Sequence, residues 1–312
     1  MIYLFFDFRN SRYEETDNLK QIVDFLIENC YPQLKAHDYA AFFKTIVNES
    51  TALVAKWMAV GFTHGVLNTD NMSLLSITID YGPFGFLDAY DPSYIPNHSD
   101  DYGRYSYENQ PKIFKWNLTR LALAIEPLLS KEQAAEVTET IKNYDSLYQE
   151  CFLSAFRRKL GLTAPSQDEE KLIQLLLDIM ETQRADFTQT FRQLGLLDLE
   201  QPDFSQHWAL LAIQPHVHFD EFLQLYKKVV ADLNIGEQQR QSIMKTSNPQ
   251  YVLRNWMAEA AIRQAEADDF HLTNVLLKVL KNPYEVDTEA EELGFSKLPP
   301  NWSCSLRISC SS

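Results

Sequence analysis

From Lys115 onward the chain repeats apolar side chains at helical spacing, one segment after another. WNLTRLALAIEPLL, KEQAAEVTETIKNYDSLYQECFLSAFRRKLG, DEEKLIQLLLDIMETQRADFTQTFRQLG and PQYVLRNWMAEAAIRQAEA all place apolar residues three or four positions apart, the stripe of a 3.6-residue turn. GEQQRQSIMKTSNP carries the same period more weakly. Helix formers dominate, and glycine is scarce, with nine in 312 residues. The period therefore predicts a mainly α fold of the α+β kind, with only a small β element at its front. No internal repeat or low-complexity linker divides it, so one compact unit is expected.

The front is where the pattern changes. MIYLFFDFRN reads as a strand broken by Asp7 and Arg9. DNLKQIVDFLIENCYPQL places Leu19, Ile22, Val23 and Leu26 on one helical face, with Asp17 as N-cap and Pro32 as the stop. HDYAAFFKTIVNESTALVAKWMAVG predicts a long helix through Phe43, Ile46, Val47, Leu53, Val54 and Trp57, closed by Gly61. A loop, a strand over SLLSITI and a second loop at Asp80-Tyr81-Gly82 follow. The tail LPPNWSCSLRISCSS is irregular and suggests a closing strand.

Charge and cysteine usage narrow the function classes. A net charge of −15 argues against nucleic acid as a partner, because a duplex binder needs a basic face to displace counterions. No window reaches the roughly 18 uninterrupted apolar residues of a membrane helix, so no membrane partner is expected. The start lacks the basic flank and cleavage site of a secretory signal. Cys30, Cys151, Cys304 and Cys310 form no C-x-x-C pair, which indicates neither a zinc knuckle nor a disulfide framework. The cytoplasm is the expected compartment.

The chemistry concentrates in HGVLNTDNMSLLSITIDYGPFGFLDAYDP, residues 64–92. Taken singly, its residues have plain structural readings: Asp-Tyr-Gly is a common turn, His64 braces a loop, Asn68 caps a turn. Their combination is more specific. A capped helix, then His64-Gly65, Asn71 at the end of a loop, and Asp80-Tyr81-Gly82 after a strand reproduce the frame on which kinase-like phosphotransferases hang a metal. Mg²⁺ takes hard oxygen ligands and commonly keeps substrate phosphates as the remainder. One amide oxygen and one carboxylate on adjacent loops supply the protein's share. The frame departs at the base. Small-molecule kinases place an Asp directly after His-Gly, and here that position is Val66, which accepts no proton. Asp70, immediately before Asn71, is the carboxylate that remains.

GFTHGVLNTDNMSLLSITIDYGPFGFLDAYDP, then NHSDDYGRYSYENQPKIFKWNLTRLA, closely resembles the SelO (YdiU) family of protein adenylyltransferases, a pseudokinase branch. The resemblance continues through LIENCYPQL, NPQYVLRNWMAEAAIRQAE, NPYEV and the terminal SCSS. It implies a protein-kinase-like C-lobe over residues 1–165 and a helical C-terminal extension over 166–312. It also implies a reversed ATP, so that AMP passes to Ser, Thr or Tyr hydroxyls of protein substrates. By motif position Asp70 would be the catalytic proton acceptor. Asn71 and Asp80 would be the Mg²⁺ ligands, with Mn²⁺ as the alternative ion, and Asp80 would also meet ATP.

The resemblance also shows departures. Family members carry an N-terminal lobe with a Gly-rich loop, a strand Lys, a helix Glu and a phosphate-gripping Arg segment, and this sequence begins after all of them. It is thus expected to be the C-terminal portion of such a protein, impaired alone, with a separately encoded N-lobe as one partner. Such clamps contribute about 10 kcal/mol of transition-state stabilisation. Cys310 stands where selenoprotein relatives place selenocysteine, but Ser309 beside it leaves no vicinal pair. Some bacterial relatives have a Cys before the Asn-His pair; here it is Pro96. Cys304 and Cys310 remain a redox candidate beside two ordinary thiols. His216 and His218 read as surface, Trp116, Trp208 and Trp256 as core, and Arg104 as a brace for the loop after Asp-Tyr-Gly. Two other functions stay open: kinase-type γ-phosphoryl transfer, and a non-catalytic helical domain that binds partner proteins.

Overall fold

The protein is described by a computed structural model over residues 14–308. The expected opening strand, Ser309 and Cys310 lie outside the described residues. Helices dominate in chain order: α1 (Glu14–Cys30), α2 (Tyr39–Val60), α3 (Gln110–Ile125), α4 (Lys131–Lys142), α5 (Tyr144–Lys159), α6 (Glu169–Thr182), α7 (Phe187–Leu194), α8 (Trp208–Ile213), α9 (Phe219–Asp232), α10 (Glu237–Ser247), α11 (Asn255–Ala265), α12 (His271–Lys281) and α13 (Thr288–Glu292). Among the described residues the only sheet is an antiparallel pair, β1 (Phe62–Thr63) and β2 (Gly85–Phe86), with Phe62 opposite Phe86. A mainly α fold with a small β element is what the periodicity predicts.

Local chemistry sets the boundaries. α2 ends because Gly61 adopts φ +72°, a left-handed turn that a Cβ would strain. Ser130 and Gln133 form a reciprocal capping box on α4. Asp186 caps α7 through the Gln189 N–H, and Asp287 caps α13 through the Ala290 N–H.

Several expectations are corrected. SLLSITI is not a strand: Ser76 turns into the left-handed region at φ 51°, and its N–H bonds back to Ser73. Asp17 lies inside α1 and caps nothing at its start. Residues 131–161 break at Asn143 into α4 and α5. Trp116 is 39% exposed rather than core, with the Arg120 guanidinium 4.7 Å over its ring. The tail forms a short 3₁₀ turn, Asn301–Ser305, and a single parallel bridge between Ile308 and Asn97 in place of a strand.

Internal packing divides the chain into two compact units. The first comprises Val66–Gly82, Asn109–Cys151 and the described residues up to Lys56. Its core is the apolar face of α1 (Leu19, Val23, Leu26), Phe42, Phe43, Ile46 and Val47 of α2, and Phe114 and Leu118 of α3. Each such side chain contributes about 1.5–3 kcal/mol by leaving water. Tyr31 donates its hydroxyl to the Leu74 carbonyl at 2.6 Å, and Ser50 meets Ser76 at 3.0 Å. These bonds hold the segment after the loop in place of a ladder.

The second unit comprises Trp57–Gly65, Pro83–Glu108 and the chain from Phe152 onward. α6 packs on α9, α7 on α8 and α10, and α11 on α12. Trp256, Met257, Val275, Leu276 and Phe295 form one of its apolar clusters. Arg254, fully buried, binds both carboxylate oxygens of Asp186 at 2.6 and 3.0 Å and reaches Asp88 at 3.1 Å. A planar guanidinium is the group suited to that geometry. The clamp ties the segment after β2 to α7 and α11.

Candidate functional site

The site residues expected from the sequence, Asp70, Asn71 and Asp80, all fall in the first unit. Asp70 and Asn71 lie on a single 3₁₀ turn, Thr69–Asn71. Asn68 makes that turn: its side-chain oxygen accepts from the Asp70 N–H at 3.0 Å and the Asn71 N–H at 3.1 Å. This is the capping role expected of it. The Asn71 amide then donates to the Val66 carbonyl at 2.9 Å. Its NH₂ is thereby committed to the backbone, and its Oδ1 is the atom left to accept or to ligate.

The turn rests on a residue that the sequence pattern did not single out. Asn117 of α3 is 3% exposed and donates through Nδ2 to the carbonyls of Leu67 at 3.2 Å and Asn68 at 3.4 Å. Its own Oδ1 is buried without a partner. Within KWNLTRLA nothing distinguishes this Asn from a surface polar position. The signal that could have found it is its place on the apolar face, three residues after Phe114.

Asp80 is exposed and has φ 54°. Its carbonyl accepts from the Gly82 N–H at 2.8 Å, a tight turn that presents Asp80 and Tyr81 to solvent. A left-handed non-glycine residue costs about 1–2 kcal/mol, and such outliers concentrate at working sites.

His64 and Gly65 belong to the second unit. His64 is buried, its ring 5.5 Å from Trp57 and 6.3 Å from Phe62. Gly65 has φ 81°, and a Cβ there would stand 2.2 Å from the Pro83 carbonyl oxygen. Asn97 donates to the Gly65 carbonyl at 3.2 Å, and the His98 N–H donates to Ile308 at 2.9 Å. The Arg104 N–H donates to Asp100, and the Arg104 guanidinium lies 5.6 Å from the Tyr105 ring. Burial pushes the Asp88 carboxyl above its ordinary range, with Arg254 opposing and Asp186 reinforcing the rise.

Cys304 is exposed and unbridged, and Cys310, its expected partner, lies outside the described residues. His216 and His218 sit on the surface with rings 5.6 Å apart, and His218 meets Glu221 at 3.2 Å. Among the described residues no three His, Cys, Asp or Glu side chains gather into a metal-holding group. Asn71 and Asp80, the ligands expected from the sequence, each offer a side-chain oxygen. Their amide and carboxylate oxygens fit a hard cation that keeps phosphate oxygens as its other ligands. No helix among the described residues is long and apolar enough to cross a membrane.

Comparison with known proteins covers nearly the whole chain. Residues 5–281 match the family described as Protein adenylyltransferase SelO. Proteins named Protein nucleotidyltransferase YdiU are similar throughout: that of Vibrio vulnificus is 38% identical over 305 residues, and that of Erwinia tasmaniensis 38% over 306, each alignment covering 96% of this chain and 61% of the relative. The Myxococcus xanthus protein is 39% identical over 302 residues, 96% of this chain and 60% of its own. The chain therefore spans about three-fifths of the length of these relatives.

Proposed function

This chain belongs to the SelO family of protein adenylyltransferases, and from that premise we propose that the whole protein transfers AMP from ATP to Ser, Thr or Tyr hydroxyls of other proteins. The observation that carries the reading is the Asn68-capped turn, which holds Asp70 and Asn71 side by side with the Asn71 NH₂ tied to Val66. Asn71 Oδ1 and the Asp80 carboxylate would hold Mg²⁺, or Mn²⁺ in its place. When bound, that ion neutralises phosphate charge and polarises the α-phosphate. Asp70 takes the proton of the attacking hydroxyl. The hydroxyl oxygen forms a bond to the α-phosphorus as the bond to pyrophosphate breaks. Val66, at the place where a kinase base would stand, accepts no proton, which disfavours γ-phosphoryl transfer. The kinase-like C-lobe and the helical extension beyond residue 165 are parts of the same reading.

The test is label transfer to protein with ATP labelled on either the α- or the γ-phosphate, in Mg²⁺ and in Mn²⁺. We expect α-label on protein, lost in Asp80→Ala and reduced at least about a hundredfold in Asp70→Asn, the usual scale of a proton-transfer group. Transfer of γ-label would overturn the reading in favour of a kinase. Absence of α-label with the whole protein would overturn it.

A further inference from the structure

The second unit holds a cavity of about 680 Å³ that none of the expected site residues lines, walled by α7, the start of α8 and the segment around Glu291–Leu298. That volume lies within the range of small-molecule sites. Its wall explains an oddity of α7, every residue of which is buried. One face carries Phe187, Phe191 and Leu194 into the core, with Phe187 and Phe191 rings 5.4 Å apart. The other carries Gln189, Arg192 and Gln193, three polar residues at helical spacing, and all three line the cavity. Gln189 is satisfied within the protein, its Nε2 donating to the Gln250 carbonyl at 2.8 Å, but a buried polar stripe is costly where a donor stays unpaired, as the Arg192 Nε–H does.

The wall sets two cations, Arg192 and Lys297, against the one carboxylate of Glu291, and Glu285 and Glu291 act on Arg192 only through space. Arg192 is 5% exposed and gives three N–H groups to the carbonyls of Lys245, Asn248 and Tyr284. Its Nε–H is buried with no partner, and among the described residues no carboxylate lies within ion-pair distance. Gln193 accepts from the Ala209 N–H through Oε1, and among the described residues its NH₂ group has no hydrogen-bond partner. Lys297 stands exposed at the rim. The carboxylate on the wall, Glu291, is already engaged by Gln250, Tyr251 and Ser296. Glu285, the nearby acid outside the wall, is paired with Lys245. Trp208, Leu196 and Leu298 add apolar surface.

We propose that this cavity binds a small organic anion, its carboxylate or phosphate head drawn to the positive wall of Arg192, Lys297 and the Gln193 NH₂, its flat or apolar body lying against Trp208 and Leu298. The site stands apart from the nucleotide reading and does not depend on it. A desolvated cation attracts an anion far more strongly than a hydrated one, so the head group sets affinity and the apolar wall sets shape.

Calorimetry and thermal melting of the full chain with phenylacetate, phenyl phosphate and the neutral phenylacetamide test the proposal. Saturable binding of at least one anion is expected, about tenfold or more tighter than phenylacetamide, with a rise in melting temperature at saturation. The carboxylate and phosphate probes decide which head the site prefers. Arg192→Gln should abolish binding. Because that change also removes three internal hydrogen bonds and can unfold the chain, the exposed Lys297→Glu carries the test independently, with a loss of about tenfold. Equal binding of phenylacetamide, no saturable binding of either anion, or anion binding indifferent to Lys297→Glu would each overturn it.

Discussion

Lys159, at the last position of α5, is enclosed in protein with no carboxylate beside it among the described residues. Its ammonium donates to Asn248 Oδ1 at 2.9 Å and stands 4.1 Å from the Phe191 ring centre, while Asn248 Nδ2 returns a bond to the Lys159 carbonyl. One hydrogen bond and a ring face do not replace a full hydration shell, and burial pulls the amine down to about 7. The unfolded chain keeps an ordinary lysine near 10.5. Below the folded value both states hold the proton and pH has no leverage. Between about 7 and 10 only the unfolded state holds it, so this residue makes stability rise with pH, at up to about 1.4 kcal/mol per unit. Lys159→Met should lose that slope. Denaturant unfolding of both proteins at several pH values in this range measures it, and a pH-independent difference between them would refute the assignment.

At the scale of the element, the Asn68–Asn71 turn is braced from below by α3 through one side chain. Removing Asn117 takes its donor from the Leu67 carbonyl in a buried setting, which costs about 1–3 kcal/mol, while the Asn68 carbonyl keeps the Asn71 N–H. If that turn carries the metal ligand Asn71, Asn117→Ala should also raise the Mg²⁺ concentration needed for half-maximal α-label transfer. A loss of stability with unchanged metal dependence would mean that Asn117 only holds the fold. The turn itself was legible in the sequence, because Asn68, Asp70 and Asn71 act through bonds within five residues. Gly61 as a helix stop was legible for the same reason. Asn117, Arg192 and the Arg254–Asp186–Asp88 clamp were not, since their partners stand 49 to 166 positions away. The misread strand over SLLSITI has a different cause. Its β-branched and apolar residues fit a pleated surface, but Ser76 turns left-handed, and Tyr31 and Ser50 pin the segment by side chains. The helices at 219–232 and 271–281 bury ordinary apolar stripes, Phe222, Tyr226 and Val229 in the first and Leu272, Val275 and Val279 in the second.

For the whole molecule, two electrostatic effects compete, and their magnitudes decide the sign of its response to salt. The chain carries a formal charge of −15, so its surface repels itself. Against that stand surface ion pairs such as Lys20–Asp24, Lys171–Glu221 and Lys278–Asp287, whose lysines are all about half exposed or more. Exposed pairs are each worth about 0–1 kcal/mol and are themselves screened. The buried clamp of Arg254 on Asp186 is shielded from ions and hardly contributes to the difference. Repulsion summed over many unpaired carboxylates therefore outweighs a few weak attractions. Raising NaCl from about 0.02 to 0.3 M, which shortens the screening length from roughly 20 to 6 Å, should raise the melting temperature at pH 7 by a few degrees. Potassium chloride should do the same, because the effect is screening and not ion binding. A fall in melting temperature with both salts would show that the surface pairs, weak as they are singly, act as a network that exceeds the repulsion.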